Sequence, residues 1–275
     1  MNRTRLIALT AIVAALAWTA VLAGAAGGLE RLYVLDCGQN IGKDQSRWSP
    51  GVNEGKSIEF SDNCYLIRHA KGWLLWDTGI PDAVAAMPDG MVVANGAITQ
   101  RRAKTLAAQL AEIGVKPADI TYVAVSHTHG DHVGNVALFP SSTIFIQGAE
   151  YEWAMTQPVK PAFAATQPIE KLTGDRDVFG DGSVMILSTP GHTPGHQSLL
   201  VVLAKSGPVL LSGDAVHFRD NWENRRVPSM NFNREQTVAS MQRIASVLET
   251  RKAQLWINHD KAQSAQLRYA PAFYE

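Results

Sequence analysis

The sequence predicts an α/β fold in which two β-sheets pack against each other and carry helices on their outer faces. Three observations predict it. Short apolar runs recur along the 275-residue chain and are bounded by Gly, Pro, Asp or Asn, as is typical of buried strands. Two other segments have the periodicity of amphipathic helices. Four of the apolar runs are followed within three residues by histidine or aspartate, which places polar side chains at strand ends.

Nine apolar runs are predicted to be buried strands, because they are short and rich in aliphatic and β-branched residues. In chain order they are RLYVL, CYLIR, WLLWD, TYVAVS, TIFIQ, VMILST, SLLVVL, PVLLSG and QLWIN. The proline-containing segment 157–167 is predicted to be a surface loop within the same domain.

Two segments are predicted to be the outer helices. The segment RRAKTLAAQLAEIG ends at Gly114, a residue suited to the position after a helix. Its apolar face consists of Leu106, Leu110 and Ile113. In NREQTVASMQRIASVLE, Asn233 is suited to cap the first turn. The buried stripe of this second helix consists of Val238, Met241, Ile244 and Leu248.

Residues 1–25 are predicted to be a secretory signal peptide, followed by one folded domain over residues 29–275. Arg3 and Arg5 precede a long apolar run, and the small residues of Ala23-Gly24-Ala25 form a cleavage pattern. A retained membrane anchor is the alternative, because the run Leu6–Ala23 approaches the length that spans a bilayer. Both readings predict a folded domain outside the cytoplasmic membrane, either periplasmic or secreted, or anchored to the membrane.

The charge balance indicates the kind of partner. Lys plus Arg and Asp plus Glu number 25 each, the formal net charge is zero, and no basic block is present. Nucleic acid is therefore not expected as a partner, and a neutral or amphiphilic small molecule fits better. The two cysteines do not predict a disulfide framework, and Cys64 is expected simply to be buried in its strand. His69 is expected at the surface.

The segment SHTHGDH concentrates groups that bind metals. It contains three of the eight histidines and one aspartate: His127, His129, Asp131 and His132. His127 and His129 are two residues apart at an extended strand end, so they can point the same way. Asp131 and His132 follow where the chain turns, and they can address a second position nearby.

Three other strand ends carry similar groups. VMILST leads to His192 and His196, PVLLSG to Asp214, and QLWIN to His259. Imidazole and carboxylate without cysteine thiolate are the ligands of zinc, and iron, cobalt or manganese also bind them. Hydrogen-bonded core histidines are the alternative, and the clustering of so many at strand ends argues against it.

The pattern HTHGDH … GH … GD … H resembles the metallo-β-lactamase superfamily, an αββα sandwich with a two-metal site between the sheets. The most specific resemblance is to its N-acyl-homoserine lactonase branch, and it includes WDTGIP, STPGHTPGHQSLL and SGDA. It covers the chain from about Leu29 to the C-terminus. The resemblance implies a first metal held by His127, His129 and His192, a second held by Asp131, His132 and His259, and Asp214 bridging the two, with Zn²⁺ expected at both positions.

The resemblance also implies a reaction, the hydrolytic opening of a lactone ring, with an N-acyl-homoserine lactone as the expected substrate. A hydroxide shared by the metals attacks the carbonyl carbon, and Asp131 passes a proton to the leaving alkoxide. His196 is expected to orient its loop outside the metal site, and Asp77 in WDTG to support a ligand.

One position departs from the family. Such lactonases usually have a tyrosine three residues after the bridging aspartate, and this chain has His217 there. The hypothesis is that the His217 imidazole donates a hydrogen bond to the substrate carbonyl oxygen or the developing oxyanion. An additional metal ligand and a packing residue are the alternatives. The following segment, FRDNWENRRVPSMNFN, is also longer and more polar than the family pattern.

Other functions are weaker interpretations of the same residues. Zinc β-lactamases generally lack the bridging carboxylate, and glyoxalase II-like thioesterases have a C-terminal helical extension. A nuclease or phosphodiesterase would require a basic surface. An esterase acting on another substrate stays open. A non-catalytic binding module would be expected to have lost Asp131 or Asp214, and both are present.

An apolar acyl-chain pocket is predicted to be walled by Trp48, Ile41, Met87, Met91 and Val92, with ordinary core or lid packing as the alternative.

Overall fold

Two β-sheets face each other in the computed structural model, which describes residues 28–275. The predicted signal peptide, residues 1–25, lies outside these residues. In spatial order, sheet A consists of β4 (Met91–Val93), β5 (Ile98–Arg101), β1 (Leu29–Gly42), β2 (Ile58–His69), β3 (Gly72–Trp76), β6 (Tyr122–Ala124), β7 (Thr143–Gln147) and β8 (Ile169–Leu172). Sheet B consists of β13 (Gln254–Trp256), β12 (Gly207–Leu211), β11 (Gln197–Leu203), β10 (Val184–Ser188) and β9 (Arg176–Asp177).

All nine predicted strands are present within these sheets. The sequence did not predict β4, β5, β8 and β9. β4 and β9 are only three and two residues long, and β5 and β8, with the sequences ITQR and IEKL, are too polar to stand out as apolar runs. The parallel pairs are β3 with β6, β6 with β7, β7 with β8, and β12 with β13.

Both predicted helices are present. The helices are α1 (Leu106–Glu112), α2 (Gly130–Val133), α3 (Gly148–Thr156), α4 (Arg219–Asn224), α5 (Arg234–Arg251) and α6 (Lys261–Ser264). The Thr105 side chain caps α1, and Gly114 follows it with a positive φ of 73°. The Asn233 side chain caps α5 as predicted, by accepting a hydrogen bond from the Gln236 amide. No helix in the described range is long and apolar enough to cross a bilayer.

Three buried apolar clusters define the layers. One cluster fills the space between the sheets, and it contains Leu32 and Val34 from β1 with Leu199 and Val201 from β11. A second packs α1 on the outer face of sheet A, and a third packs α5 on the outer face of sheet B. Because side chains alternate along a strand, strands covered on both faces are apolar throughout. The described chain is therefore the predicted αββα sandwich.

The two cysteines form a disulfide, which the sequence analysis did not predict. Cys37 on β1 and Cys64 on β2 are both fully buried, and their Cα atoms lie 5.6 Å apart. The strand pairing shifts register between Asp36 and Gly38, and this shift places Cys37 beside its partner. Two cysteines 27 residues apart reveal no such register in sequence alone.

The prediction that His69 lies at the surface is wrong. Its side chain is fully buried at the end of β2, and its ring stacks on Phe179 with 3.9 Å between the ring centroids. Nε2 lies 2.9 Å from the carboxylate of Asp181, and Nδ1 accepts a hydrogen bond from the Lys71 amide. Because Asp181 is 112 residues away in sequence, no local pattern around His69 predicts this burial.

Candidate metal centre and adjoining cavity

The loops after β6, β10, β12 and β13 bring the predicted ligands together at one edge of the sandwich. Potential ligand atoms form two groups, and within each group the atoms lie within 4.8 Å of one another. The first ligand group consists of His127, His129, His192 and Asp214. The second ligand group consists of Asp131, His132 and His259. A further set of three, within the same distance, combines Asp214 and His259 with His217.

The HTHGDH segment reaches both groups because its backbone changes direction. His127 follows β6, and His129 has the extended conformation of the residue that precedes a helix. Asp131 and His132 then lie on the single turn of α2. The extended part supplies two residues to the first group, and the helical turn supplies two to the second, as the sequence predicts.

Asp214 lies between the two groups and presents one carboxylate oxygen to each. Its Oδ1 is 3.2 Å from Nε2 of His132 and 3.1 Å from Nε2 of His259. Its Oδ2 is 3.4 Å from Nε2 of His192 and 3.8 Å from Nε2 of His127. This arrangement is the one expected of a carboxylate that bridges two metal ions.

Buried polar atoms that lack hydrogen-bond partners indicate whether these residues fit a metal ion. Asp214 Oδ1 and His132 Nε2 are buried, and although they lie 3.2 Å apart, neither has a hydrogen bond of acceptable geometry in the described chain. Such atoms are costly in a folded protein unless they bind something, and their lone pairs converge here. Burial holds the pKa of His127 and His192 well below the usual value, so their neutral rings can act as ligands. The residues present therefore fit a pair of divalent cations.

In four of the histidines, Nδ1 contacts a neighbouring group and Nε2 is left for the ligand groups. The contacts to Nδ1 are His127 with Ser126 Oγ (3.1 Å), His132 with Asp77 Oδ2 (3.0 Å), His192 with Asn231 Oδ1 (2.9 Å) and His259 with the Ser61 carbonyl (2.6 Å). These contacts fix each ring so that Nε2 faces the ligand groups, which is the usual support of metal-binding histidines.

Asp77 and His196 lie where the sequence predicts, outside the ligand groups. The second oxygen of Asp77 accepts a hydrogen bond from the Ser126 amide at 2.6 Å, so one carboxylate holds both His132 and the start of the HTHGDH segment. His196 Nε2 accepts a hydrogen bond from the Asp214 amide at 2.8 Å, and its Nδ1 contacts Thr189. His196 therefore holds the loop that carries Asp214.

His217 differs from the four supported histidines. Its Nε2 lies 3.1 Å from Asp214 Oδ2, on the side of the first ligand group. Its Nδ1 is buried and has no hydrogen-bond partner in the described chain. A histidine that binds a metal permanently usually has this nitrogen held by a neighbour. The free Nδ1 therefore distinguishes His217 from the four supported histidines.

A cavity of about 480 Å³ opens onto both ligand groups. Its floor is the part of sheet A formed by β4, β5, β1 and β2, in which a row of directly paired residues comprises Met91, Gln100, Asn40 and Phe60. The indole of Trp48 covers Gly42, where a Cβ would lie 2.5 Å from the ring. Glycine at this position therefore makes room for the Trp48 wall.

The predicted cavity wall is partly correct. Trp48 and Met91 line the cavity, but Ile41, Met87 and Val92 do not. Ile41 and Val92 lie on the opposite faces of their strands, since successive side chains alternate. Met87 lies in a separate depression. Other apolar residues line the cavity and were not predicted from the sequence, namely Phe60, Pro81, Val93, Ala94, Ile98, Val159 and Met230.

Residues 58–256 match the family model of the metallo-beta-lactamase superfamily. The chain belongs to the metallo-β-lactamase superfamily. An N-acyl homoserine lactonase AttM of Azorhizobium caulinodans is 33% identical over 269 residues, with 89% of this chain and 98% of the relative covered. An N-acyl homoserine lactonase of a Bacillus species is 32% identical over 254 residues, with 89% and 99% covered. These relatives place the chain in the lactonase branch of the superfamily, as the motifs predict.

Solved structures of the superfamily agree with this placement. The chain is similar to a variant of AiiA from B. thuringiensis with N-decanoyl-L-homoserine bound at its active site, with a TM-score of 0.81 and 30% identity over 90% of this chain and 99% of that one. It is equally similar to an N-acyl homoserine lactone hydrolase with the product N-hexanoyl-L-homoserine at its catalytic metal centre, with a TM-score of 0.80, 30% identity and the same coverage.

Proposed function

We propose that this protein is a metal-dependent hydrolase that opens the lactone ring of N-acyl homoserine lactones, and so quenches quorum-sensing signals of this class. The observation that carries the proposal is Asp214, whose two carboxylate oxygens face two separate ligand groups at the end of a largely apolar cavity. The names of the relatives and the products bound in the similar structures support the same substrate class.

The residues of the first ligand group would hold one cation, those of the second would hold the other, and Asp214 would belong to both. We propose zinc for both positions, because imidazole and carboxylate without thiolate suit it. When bound, such cations polarise an acyl oxygen and lower the pKa of a water toward about 7.

Asp131 is proposed as the residue that moves the proton. Ring opening adds the hydroxyl of water to the carbonyl carbon and a proton to the ring oxygen that leaves, so one proton must pass between them. Asp131 lies on the cavity wall, and Asn40 donates a hydrogen bond to its Oδ2 at 2.9 Å. A carboxylate held in this way can accept the proton and deliver it to the leaving oxygen.

His217 is proposed to orient the substrate. It lines the cavity beside Asp214, and its Nδ1 has no hydrogen-bond partner in the described chain. An imidazole N–H at this position can donate to the carbonyl oxygen and to the negative charge that develops on it.

A hydrolysis screen tests the proposed function. The zinc-loaded protein should hydrolyse acyl-homoserine lactones of several chain lengths faster than an aryl ester, a thioester or a β-lactam at equal concentrations. Removal of the metal by a chelator should abolish this activity, and addition of zinc should restore it. Preference for the aryl ester or the thioester would replace the lactonase proposal with an esterase or a thioesterase.

We propose that the protein is exported. The apolar segment with its small-residue cleavage pattern at residues 23–25 motivates this proposal, and the Cys37–Cys64 disulfide supports it, since disulfides persist in oxidising compartments. N-terminal sequencing of protein from the native host should find Ala26 first. An intact Met1 on membrane-bound protein would indicate an anchor instead, and an intact soluble cytoplasmic form would contradict both.

A further inference from the structure

Two amide side chains lie in the paired row beneath the cavity, and one of them, Gln100, lines it. Asn40 on β1 and Gln100 on β5 are directly opposite each other in the antiparallel pairing, so their side chains project from the same face of sheet A. Phe60 pairs with Asn40 on one side, and Met91 pairs with Gln100 on the other. Asn40 is fully buried and Gln100 is 5% exposed, so neither amide is solvated as a surface residue would be.

A chain of hydrogen bonds fixes the orientation of both amides. Asn40 Nδ2 donates to Asp131 Oδ2 at 2.9 Å, and Gln100 Nε2 donates to Asn40 Oδ1 at 3.0 Å. An ionised carboxylate only accepts hydrogen bonds, so Asn40 must present its NH₂ to Asp131 and its carbonyl to Gln100. Gln100 must then use its own NH₂ for Asn40. Its carbonyl oxygen, Oε1, is left without a donor in the described chain.

Few other side chains that line the cavity can accept a hydrogen bond from a bound molecule. Apart from the histidines and aspartates of the metal centre, the lining side chains with nitrogen or oxygen atoms are Arg47, Trp48 and Gln100. Guanidinium and indole groups only donate hydrogen bonds. Gln100 Oε1 is therefore the side-chain acceptor that remains for a donor on the bound molecule. An acyl homoserine lactone has one N–H group, in the amide that joins the acyl chain to the ring.

We propose that Gln100 is a specificity-determining residue, whose Oε1 accepts a hydrogen bond from the amide N–H of the substrate. This inference rests on the proposed function and deepens it, since it selects N-acyl lactones over lactones without an amide. A site built to pair with a polar group rejects analogues that lack the group, because its own atom then stays unpaired. Water can enter the open cavity and partly satisfy Oε1, so we expect discrimination of about 10–10²-fold.

The test compares two substrates in three proteins. The substrates are N-hexanoyl-homoserine lactone and an α-alkyl-γ-butyrolactone of matched chain length that has no amide. The proteins are the wild type, Gln100→Leu and the control Gln39→Leu, which makes the same replacement on the opposite face of β1, outside this cavity. The measured ratio is kcat/KM for N-hexanoyl-homoserine lactone divided by kcat/KM for the butyrolactone. We expect it to fall about 10–10²-fold in Gln100→Leu and to stay unchanged in Gln39→Leu.

The ratio separates substrate recognition from an indirect effect. Gln100→Leu also removes the hydrogen bond to Asn40, so Asn40 holds Asp131 less firmly. This loss lowers the hydrolysis rates of both substrates by the same factor, so it cancels in the ratio. Equal losses for both lactones would therefore overturn the proposal and leave Gln100 as a positioning residue for Asp131. An unchanged ratio with unchanged rates would overturn it as well. Gln100→Met keeps the length of the side chain and replaces the leucine variant if that variant does not fold.

Binding of the product provides a readout that does not require turnover. Isothermal titration with N-hexanoyl-homoserine, which retains the amide, should show at least 10-fold weaker binding to Gln100→Leu, with metal content unchanged by elemental analysis. Equal affinity for the wild type and the variant would overturn the proposal. Failure of the wild type to hydrolyse either lactone would instead refute the proposed function, and the titration would still decide the role of Gln100.

Discussion

Replacing His217 with phenylalanine should separate catalysis from metal binding. The imidazole is buried beside Asp214, with Nε2 at 3.1 Å from Oδ2 and Nδ1 unpaired. A phenyl ring has a similar shape and removes a nitrogen whose unsatisfied burial costs about 1–3 kcal/mol. We therefore expect His217→Phe to unfold at the same temperature as the wild type or higher. Both ligand groups keep their supported histidines, so metal content should not change.

The expected loss of turnover follows from the number of hydrogen bonds removed. One preorganised donor to an oxyanion is typically worth about 10²–10³ in turnover, and less where other groups share the charge. Cations held by the neighbouring ligand groups would share this charge. We therefore expect kcat to fall about 10–10²-fold, which is about 1.4–2.7 kcal/mol of transition-state stabilisation. His217→Tyr should recover part of the loss, since a phenol also donates a hydrogen bond.

The assay combines steady-state hydrolysis of N-hexanoyl-homoserine lactone with elemental analysis and thermal unfolding. His196→Phe is the matched control, because it breaks the hydrogen bond from the Asp214 amide and should lower both metal content and unfolding temperature. Loss of metal in His217→Phe would make His217 a ligand. Unchanged kcat with both metals retained would make it a packing residue, and either result would refute the reasoning.

Three further predictions test the metal bridge, the disulfide and the contact between His69 and Asp181. Asp214→Asn should lower metal content from about two equivalents to below one by elemental analysis, because one carboxylate faces both ligand groups. Replacing Cys37 and Cys64 with alanine should cost about 3–4 kcal/mol of unfolding free energy in urea titrations, as expected for a loop closed across 27 residues. Burial acts to raise the pKa of Asp181, but hydrogen bonds from Ser183 and His69 hold that pKa at about 2. Its contribution to stability is therefore complete above about pH 5 and is lost as the pH falls toward 2, so Asp181→Asn should reduce the difference between unfolding midpoints at pH 5 and pH 3. A loss of metal from one position only, equal stability of the cysteine variant, or an unaltered pH dependence would contradict these predictions in turn.

The buried strands and the ligands were predictable because their signals are local. An apolar run such as VMILST identifies a strand without reference to its partners, and the histidines that follow it must lie at the end of that strand. β5 was not predicted from its local sequence, because ITQR contains the polar Gln100, which faces the cavity. A strand that forms part of a binding site departs from the apolar pattern for functional reasons.

Sequence by itself determined that this chain is an αββα sandwich with seven candidate metal ligands at strand ends, because side-chain periodicity and residue type are properties of short segments. Only the tertiary structure decided which groups meet. The disulfide of Cys37 with Cys64 and the hydrogen bonds from Gln100 through Asn40 to Asp131 join residues of different elements, which are 27 to 91 residues apart in sequence. Their pairing depends on the register and packing of whole sheets, which no single segment encodes.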